Sequence, residues 1–583
     1  MNTQTNLFDV DIVGLKTLGE VMALIERIPM KNTRRRDLAS AINRFCQMTL
    51  QSPTHAPADV GLIREKLAGL NPAAHRISGK SLSNIIASLK AALAFAGVID
   101  AVKPGTWKTD PAWRALLERG GLPKRFHAGL ASFANYCAVH GIIPSEVTDA
   151  TVLAYHAWLM TRTIDEDPDA RARRVPRLVS EARAQFDDWP IGPLSDVSIG
   201  LQPKKTGWLE LPEIFRSDVE AWIASRQNPD PFDEADDRPA RPIGKGTARL
   251  HREHLRLAWH ILNEAGNPPS NLTELVAPER VKTVLRHYHD EAGGKPCSFA
   301  ETTAVIIKSV ARYHVRVGLE HQAQLKRIAS KLPATPHDLT EKNKTLIRFF
   351  DDERNVARLL GLPDLLMREA MRRIEAGERF AEVPAQAAIA IAILIAAPMR
   401  SQNLIALVSR AHLFESDGKN AKMRIIIPKA ETKTGKQDLV FNLDADTSGL
   451  IRFYRTRILP LLGADPNGPL FVGSSGKTLG QASLAGTITK AIRTHLGIHM
   501  TPHQFRHLAA AIYLKAHPED IETVRQLLGH AWTKTTMVYA GLSGERSSRA
   551  WQDVLLEHHD RLKGKGATLN GRKPKPQPPK GRR

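Results

Sequence analysis

Along most of the chain, apolar residues recur every three to four positions, the spacing that gives a helix one buried stripe. Residues 38–48, 81–99, 126–139 and 152–159 show it in the first half, and 248–265, 281–289 and 299–316 form a second set. The pattern changes after residue 400. Residues 423–427 and 439–443 are short apolar or alternating runs around KAETKTGKQD, which predicts a β-hairpin with Gly435 in its turn. Residues 470–473 suggest one more short strand, and helices resume from Ser483. Residues 387–397 are apolar on every side, as in a fully buried helix. At 11 residues the run is too short for a membrane span, which needs about 20. The fold class expected is mainly α and multidomain, ending in a mostly helical α+β domain with a small antiparallel sheet.

Punctuation divides the chain further. Segment 130–148 lies over 255–273 at an offset of 125, with Leu130, Gly141, Pro144, Ser145 and Thr148 falling on Leu255, Gly266, Pro269, Ser270 and Thr273. Each copy reads as a helix stopped by Gly, a Pro-containing turn and a new N-cap, either a duplicated module or shared helix-stop chemistry. Residues 163–207 (IDEDPDARARRVPRL within them) and 227–245 (NPDPFDEADDRPARP) are charged and Pro-containing, and read as linker and surface loop.

Composition adds limits. The 583 residues carry a net charge of +21, divided as +6 over 1–340, +6 over 341–560 and +9 over 561–583. The last 23 residues hold no acid and are rich in Pro and Gly, as in an unstructured, polyanion-seeking or merely solubilising tail. The body is only mildly basic, so net charge by itself says little about nucleic acid. Three scattered cysteines (Cys46, Cys137, Cys297) exclude a disulfide scaffold and a four-cysteine zinc site, and fit a reducing interior. The N-terminus lacks the blocks of a signal peptide.

The chemistry concentrates in 501–541, TPHQFRHLAAAIYLKAHPEDIETVRQLLGHAWTKTTMVYAG. His503 and Arg506 are three apart and share a helix face. Pro518 opens the next helix and Gly529 closes it, which leaves His530 just past a helix end. Tyr539 follows nine residues later. Upstream, Arg400 follows the apolar helix, and Lys433 sits at the hairpin. Two Arg, two His, one Lys and one Tyr suit an in-line displacement at a phosphodiester. Guanidinium forks match the non-bridging oxygens, His and Lys move protons, and a phenolate supported by cations attacks. Fixed cationic donors at developing charge supply roughly 10²–10³ in rate each. No metal or nucleotide cofactor is needed. His507 stands four after His503, but Gln-Phe-Arg between them lacks the Glu of a zinc hydrolase. GSSGKT (473–478) lacks the earlier Gly of a phosphate loop, since Phe471 stands there. Arg34, Arg35 and Arg36 form a basic cluster that suits DNA backbone or plain solvation.

HQFRH, LLGH and Tyr539, in this order, resemble the C-terminal signature of tyrosine recombinases, the phage integrase family. Arg400 after an apolar helix in IAAPMRSQNLIAL resembles the family's first Arg. ETKTGK resembles its hairpin Lys at Lys433, with Lys436 the alternative. The resemblance covers roughly 345–545, and 241–335 resembles the family's helical core-binding domain. It implies a core-binding domain over 208–338 and a catalytic domain over 339–562; outside it lie an N-terminal helical region over 1–207, a candidate extra DNA-binding module, and a basic tail over 563–583. Tyr539 is then the nucleophile that forms a 3′-phosphotyrosyl bond. Arg400 and Arg506 hold the scissile phosphate, Lys433 is the general acid, His503 assists proton transfer and His530 hydrogen-bonds the phosphate. The implied partners are double-stranded DNA, a homotetramer on two sites and accessory directionality proteins, in a cytoplasmic, nucleoid-associated setting of a bacterium, phage or mobile element. Segment 546–562, with Trp551, Val554, Leu555 and His558, is a candidate docking helix for a neighbouring protomer. Two departures stand out: Asn403 where the family has an acid, and Pro398-Met399 where a Gly-containing turn is common. Two other readings keep the fold: a type IB topoisomerase-like relaxase, and a non-catalytic DNA-binding protein to which Asn403 would point.

Overall fold

A computed structural model describes residues 15–529 and Leu555, except 103, 196–198, 200–204, 230–241, 337–338, 417–421, 433–434, 436 and 474–475. The described part is mainly helical with one three-stranded antiparallel sheet, the fold class expected. It forms two compact units, one within 198–338 and one joining the described residues before 198 to those after 338.

In the 198–338 unit, helices Glu213–Gln227, Lys245–Glu264, Pro278–Glu291, Ser298–Tyr313 and Leu319–Ala329 enclose one apolar core. Lys245–Glu264 contributes Ala248, Leu255, Ala258 and Leu262 from one face, the periodicity read in its sequence. Trp222, Leu285 and Ile307 fill the space opposite. Buried His254 is stacked 4.0 Å from Phe299 and shares a 2.7 Å hydrogen bond with Thr303 Oγ1. The two segments related at an offset of 125 stop alike. Gly141 and Gly266 follow helices Lys124–Val139 and Lys245–Glu264 at φ +67° and +73°, a left-handed conformation that glycine adopts without steric cost.

The described residues of the other unit before 197 are mostly helical, and here one expectation is overturned. Residues 163–207 read as a linker, yet Pro168–Gln185 is an 18-residue helix. Ala172, Val175, Val179 and Ala182 make a buried stripe at helical spacing, masked in the sequence by the arginines between them. Asp167 caps the start by accepting from Ala170 N–H at 2.9 Å, and Pro168 sits at the first position, where its missing N–H costs nothing. Pro176 lies inside the helix and is buried. Arg64 closes the neighbouring Asp149–Arg162 helix by donating to the carbonyls of Leu159, Met160 and Thr163 at 2.8, 2.9 and 2.6 Å.

In residues 339–529, the apolar Val383–Ala396 helix is buried on every face from Pro384 to Leu394. It packs against Leu362–Glu375 and Gln481–Leu496, which explains an apolar run without a polar side. Strands β1 (Leu413–Glu415), β2 (Met423–Ile427) and β3 (Leu439–Asn442) pair in that order, with Ile425 opposite Leu413 and Phe441. On β3, Leu439 and Phe441 face the core and Val440 faces solvent, the alternation expected of a half-buried strand. Gly435 occupies the turn at φ +63°. Residues 470–473 do not form a strand. They are drawn inward instead, with Leu470 O accepting from Tyr454 and Val472 O from Gln386 Nε2, leaving single bridges at Pro469 and Val472.

The N-terminal helices touch this region directly. Asn71 Nδ2 donates to Arg493 O at 2.5 Å, and Arg493 Nη2 donates back to Ala68 O at 3.1 Å. Gly497 ends the Gln481–Leu496 helix at φ +84°, and a Cβ there would lie 2.3 Å from Ala74 N.

Candidate active site

Arg506 lies in the Gln504–Ala516 helix, whose Phe505 and Leu508 join the apolar core. That anchoring takes Arg506 down with it, to 3% exposure. Its guanidinium donates from Nη1 to Pro398 O at 2.9 Å and from Nη2 to Leu528 O at 2.6 Å. Pro398 is two residues before Arg400, and Leu528 two before His530. One buried cation therefore ties together three segments that are far apart in sequence.

Arg400 precedes the short Ser401–Ile405 helix and follows the apolar one. It is partly buried, and its Nη1 is shielded from solvent with no hydrogen-bond partner among the described residues. Burial pulls its pKa below the usual value, and no carboxylate among the described residues acts against it. Asn403, 7% exposed, likewise keeps a buried Nδ2 without a partner. Desolvated donors of this kind raise the free energy of the empty site and favour an oxyanion that restores their hydrogen bonds.

His503 sits exposed at the entry to the Gln504–Ala516 helix. Its ring meets His507 edge to face, centroids 5.2 Å apart. His507 is partly buried, and burial, with the charges of His503 and Arg506 adding, pulls its pKa down to about 4. The helix after it differs from the expected one. Ile521–Leu527 is capped by Asp520, which accepts from Thr523 N–H at 3.0 Å, so Pro518 lies in the turn before it. Gly529 follows at φ +57°, as expected of the residue that stops it.

The hairpin loop is held from below by His412, 4% exposed. Val408 N–H donates to its Nδ1 at 2.9 Å, so its proton is on Nε2 and is given to Glu431 at 3.1 Å. Glu431 is two residues before Lys433. Lys433 and Lys436 themselves, His530, Tyr539, the segment 546–562 apart from Leu555, and the tail lie outside the described residues. Of the six residues read from the sequence, the structure describes Arg400, His503 and Arg506, and links Arg506 to the main chain two residues before Arg400. It adds Asn343, His412, Gln504 and His507, whose partners are 19 to 164 positions away or set by a single turn. No group of three metal-binding side chains occurs among the described residues. The basic Arg34–Arg36 cluster is split: Arg35 turns back to Asn32 Oδ1 and Ile28 O, and its neighbours face solvent.

Residues 365–546 match the family model described as the phage integrase family. Tyrosine recombinase XerC of Stutzerimonas stutzeri is 32% identical over 112 residues, 19% of this chain and 36% of that protein. Tyrosine recombinase XerD of Neisseria meningitidis serogroup B is 34% identical over 131 residues, 22% of this chain and 43% of that protein. The chain spans little more than a third of the length of the first of these relatives. Among solved structures, the XerH site-specific recombinase bound to difH substrate overlaps 60% of this chain and 97% of its own, at 16% identity and a TM-score of 0.31.

Proposed function

We propose, because residues 365–546 match the model of the phage integrase family, that the chain is a tyrosine recombinase, a site-specific DNA recombinase that cuts and rejoins double-stranded DNA. The observation that carries this is Arg400: a desolvated guanidinium with an unpartnered Nη1, two residues from the carbonyl that Arg506 grips. A phosphodiester oxygen supplies the acceptor and the negative charge this group lacks.

In the proposed reaction, Tyr539 attacks the scissile phosphorus. A P–O bond to Tyr539 forms as the bond to the 5′ oxygen breaks, leaving a 3′-phosphotyrosyl link. His503 takes part in moving the phenol's proton, and Lys433, or Lys436, protonates the leaving 5′ oxygen. Arg400, Arg506 and His530 hold the non-bridging oxygens. Attack by a 5′-hydroxyl from a partner strand reverses the chemistry and exchanges strands, so no nucleotide is hydrolysed. A homotetramer on two duplexes, help from directionality proteins and a place on the bacterial nucleoid belong to the same proposal, as does the division at 207, 338 and 562.

The test is a suicide DNA substrate nicked beside the cleavage point. The wild-type chain is expected to form a covalent adduct that vanishes in Tyr539→Phe, and no adduct on any cognate site overturns the reading. Processive relaxation of plasmid lacking a recombination site, without strand exchange, would favour the topoisomerase-like alternative.

A further inference from the structure

One partly buried titratable group has no task in that reaction: His507, beside Arg506. Its neighbours fix where its proton sits. Thr501 N–H donates to Gln504 Oε1 at 2.9 Å, which leaves the Gln504 amide nitrogen facing Asn343 Oδ1 at 3.0 Å. The Asn343 amide nitrogen then lies 3.2 Å from His507 Nε2. An amide nitrogen only donates, so Nε2 is the acceptor and the ring's single proton is on Nδ1. Among the described residues, the charged or titratable groups that act on this ring are His503 and Arg506, both unfavourable to a second proton. Gln504 is 3% exposed, so its amide has no solvent to turn toward.

We propose that Asn343, Gln504 and His507 form a positioning relay that keeps His507 neutral in one tautomer and so orients the His503 imidazole for proton transfer. The proposal rests on the recombinase reading, because His503 has a proton to move only if DNA is cut. A ring meeting another edge to face favours one relative orientation, and a neutral neighbour leaves His503 free to take up charge. A charged His507 would oppose that. None of the three relay residues touches DNA in this scheme. They act through His503, and Asn343 reaches Gln504 and His507 from a helix 161 residues before Gln504.

The experiment uses the full chain with the suicide substrate, comparing wild type, Asn343→Ala, Asn343→Asp and His507→Phe. Adduct formation at saturating DNA is followed against pH, with DNA affinity and thermal midpoint measured alongside. Nitrogen chemical shifts of labelled histidine report the tautomer. Wild-type His507 is expected as the neutral Nδ1–H form from about pH 5.5 to pH 8. Asn343→Ala and His507→Phe should form adduct about tenfold more slowly, part of the roughly 10²–10⁴-fold that a positioned proton carrier supplies. Their DNA affinity should hold within about twofold, and the pH midpoint of the rate should move. Asn343→Asp, nearly the same shape, should draw a proton onto Nε2 and move that midpoint with the thermal midpoint kept, which covers an Ala variant that fails to fold. His507 protonated on Nε2 near neutrality overturns the proposal, as do variants that cut at the wild-type rate and midpoint. A wild-type chain that forms no adduct overturns the recombinase reading and this relay with it. Wild-type adduct with unaffected variants overturns the relay alone.

Discussion

The two arginines of the site have opposite physical characters, and substitution should separate them. Arg400 holds a desolvated donor without a partner, so Arg400→Ala should slow adduct formation by roughly 10²–10³ while the thermal midpoint stays level or rises. The suicide substrate and a melting curve check both halves. Arg506 holds two main-chain carbonyls in the interior, and Arg506→Ala leaves both unpaired. Denaturant unfolding should show a loss of about 2–4 kcal/mol, since a buried group without its partner costs about 1–3 kcal/mol. The sequence made Arg506 legible as a cation at a set distance from His503. Its burial was not legible, because it depends on Phe505 and Leu508 facing the core and on carbonyls 108 and 22 positions away. His507 could be read only as a metal ligand to reject; its true neighbour, Asn343, lies 164 positions upstream.

At the scale of single elements, periodicity served well wherever the polar face was plainly polar. The Lys245–Glu264 helix and the β2–β3 hairpin were readable for that reason. It failed at Pro168–Gln185, where arginines dilute a narrow buried stripe and Pro176 looks like a stop. It also failed at 470–473, whose burial comes from hydrogen bonds to Gln386 and Tyr454 rather than from sheet pairing. The Lys245–Glu264 helix also carries a pH response. His251 lies parallel to the Trp222 ring near Arg226, and burial foremost, then Arg226, pulls its pKa to about 4. In the unfolded chain a histidine titrates near 6.5, so the unfolded state binds the extra proton first as the pH falls. Stability from this group is therefore complete above about pH 6.5 and is lost progressively on the way down to about pH 4. His251→Phe keeps a ring on Trp222 and removes the titration. Its denaturation midpoint should fall less between pH 7 and pH 5 than that of wild type.

For the whole molecule, the contact between 68–76 and 493–497 makes the N-terminal helices part of the same compact unit as residues 339–529. Gly497 is its tightest point: its left-handed backbone disfavours a side chain, and the space is filled by Ala74 main chain. Gly497→Ala should open this contact. Hydrogen exchange at 71–77 should accelerate and the thermal midpoint drop, while a variant that exchanges like wild type would show the contact to be idle. Elsewhere the holding atoms are less selective. Arg506 grips Pro398 and Leu528 only through their carbonyls, and every amino acid offers a carbonyl. The hydrogen bonds of that junction therefore constrain the side chain at 506 alone, while Leu528 is constrained separately by its packing in the core. The Pro398-Met399 step is the kind of variation such a joint absorbs, and a saturation scan should find 506 intolerant of any change, 528 confined to apolar residues of similar size by its burial, and 398 the more permissive.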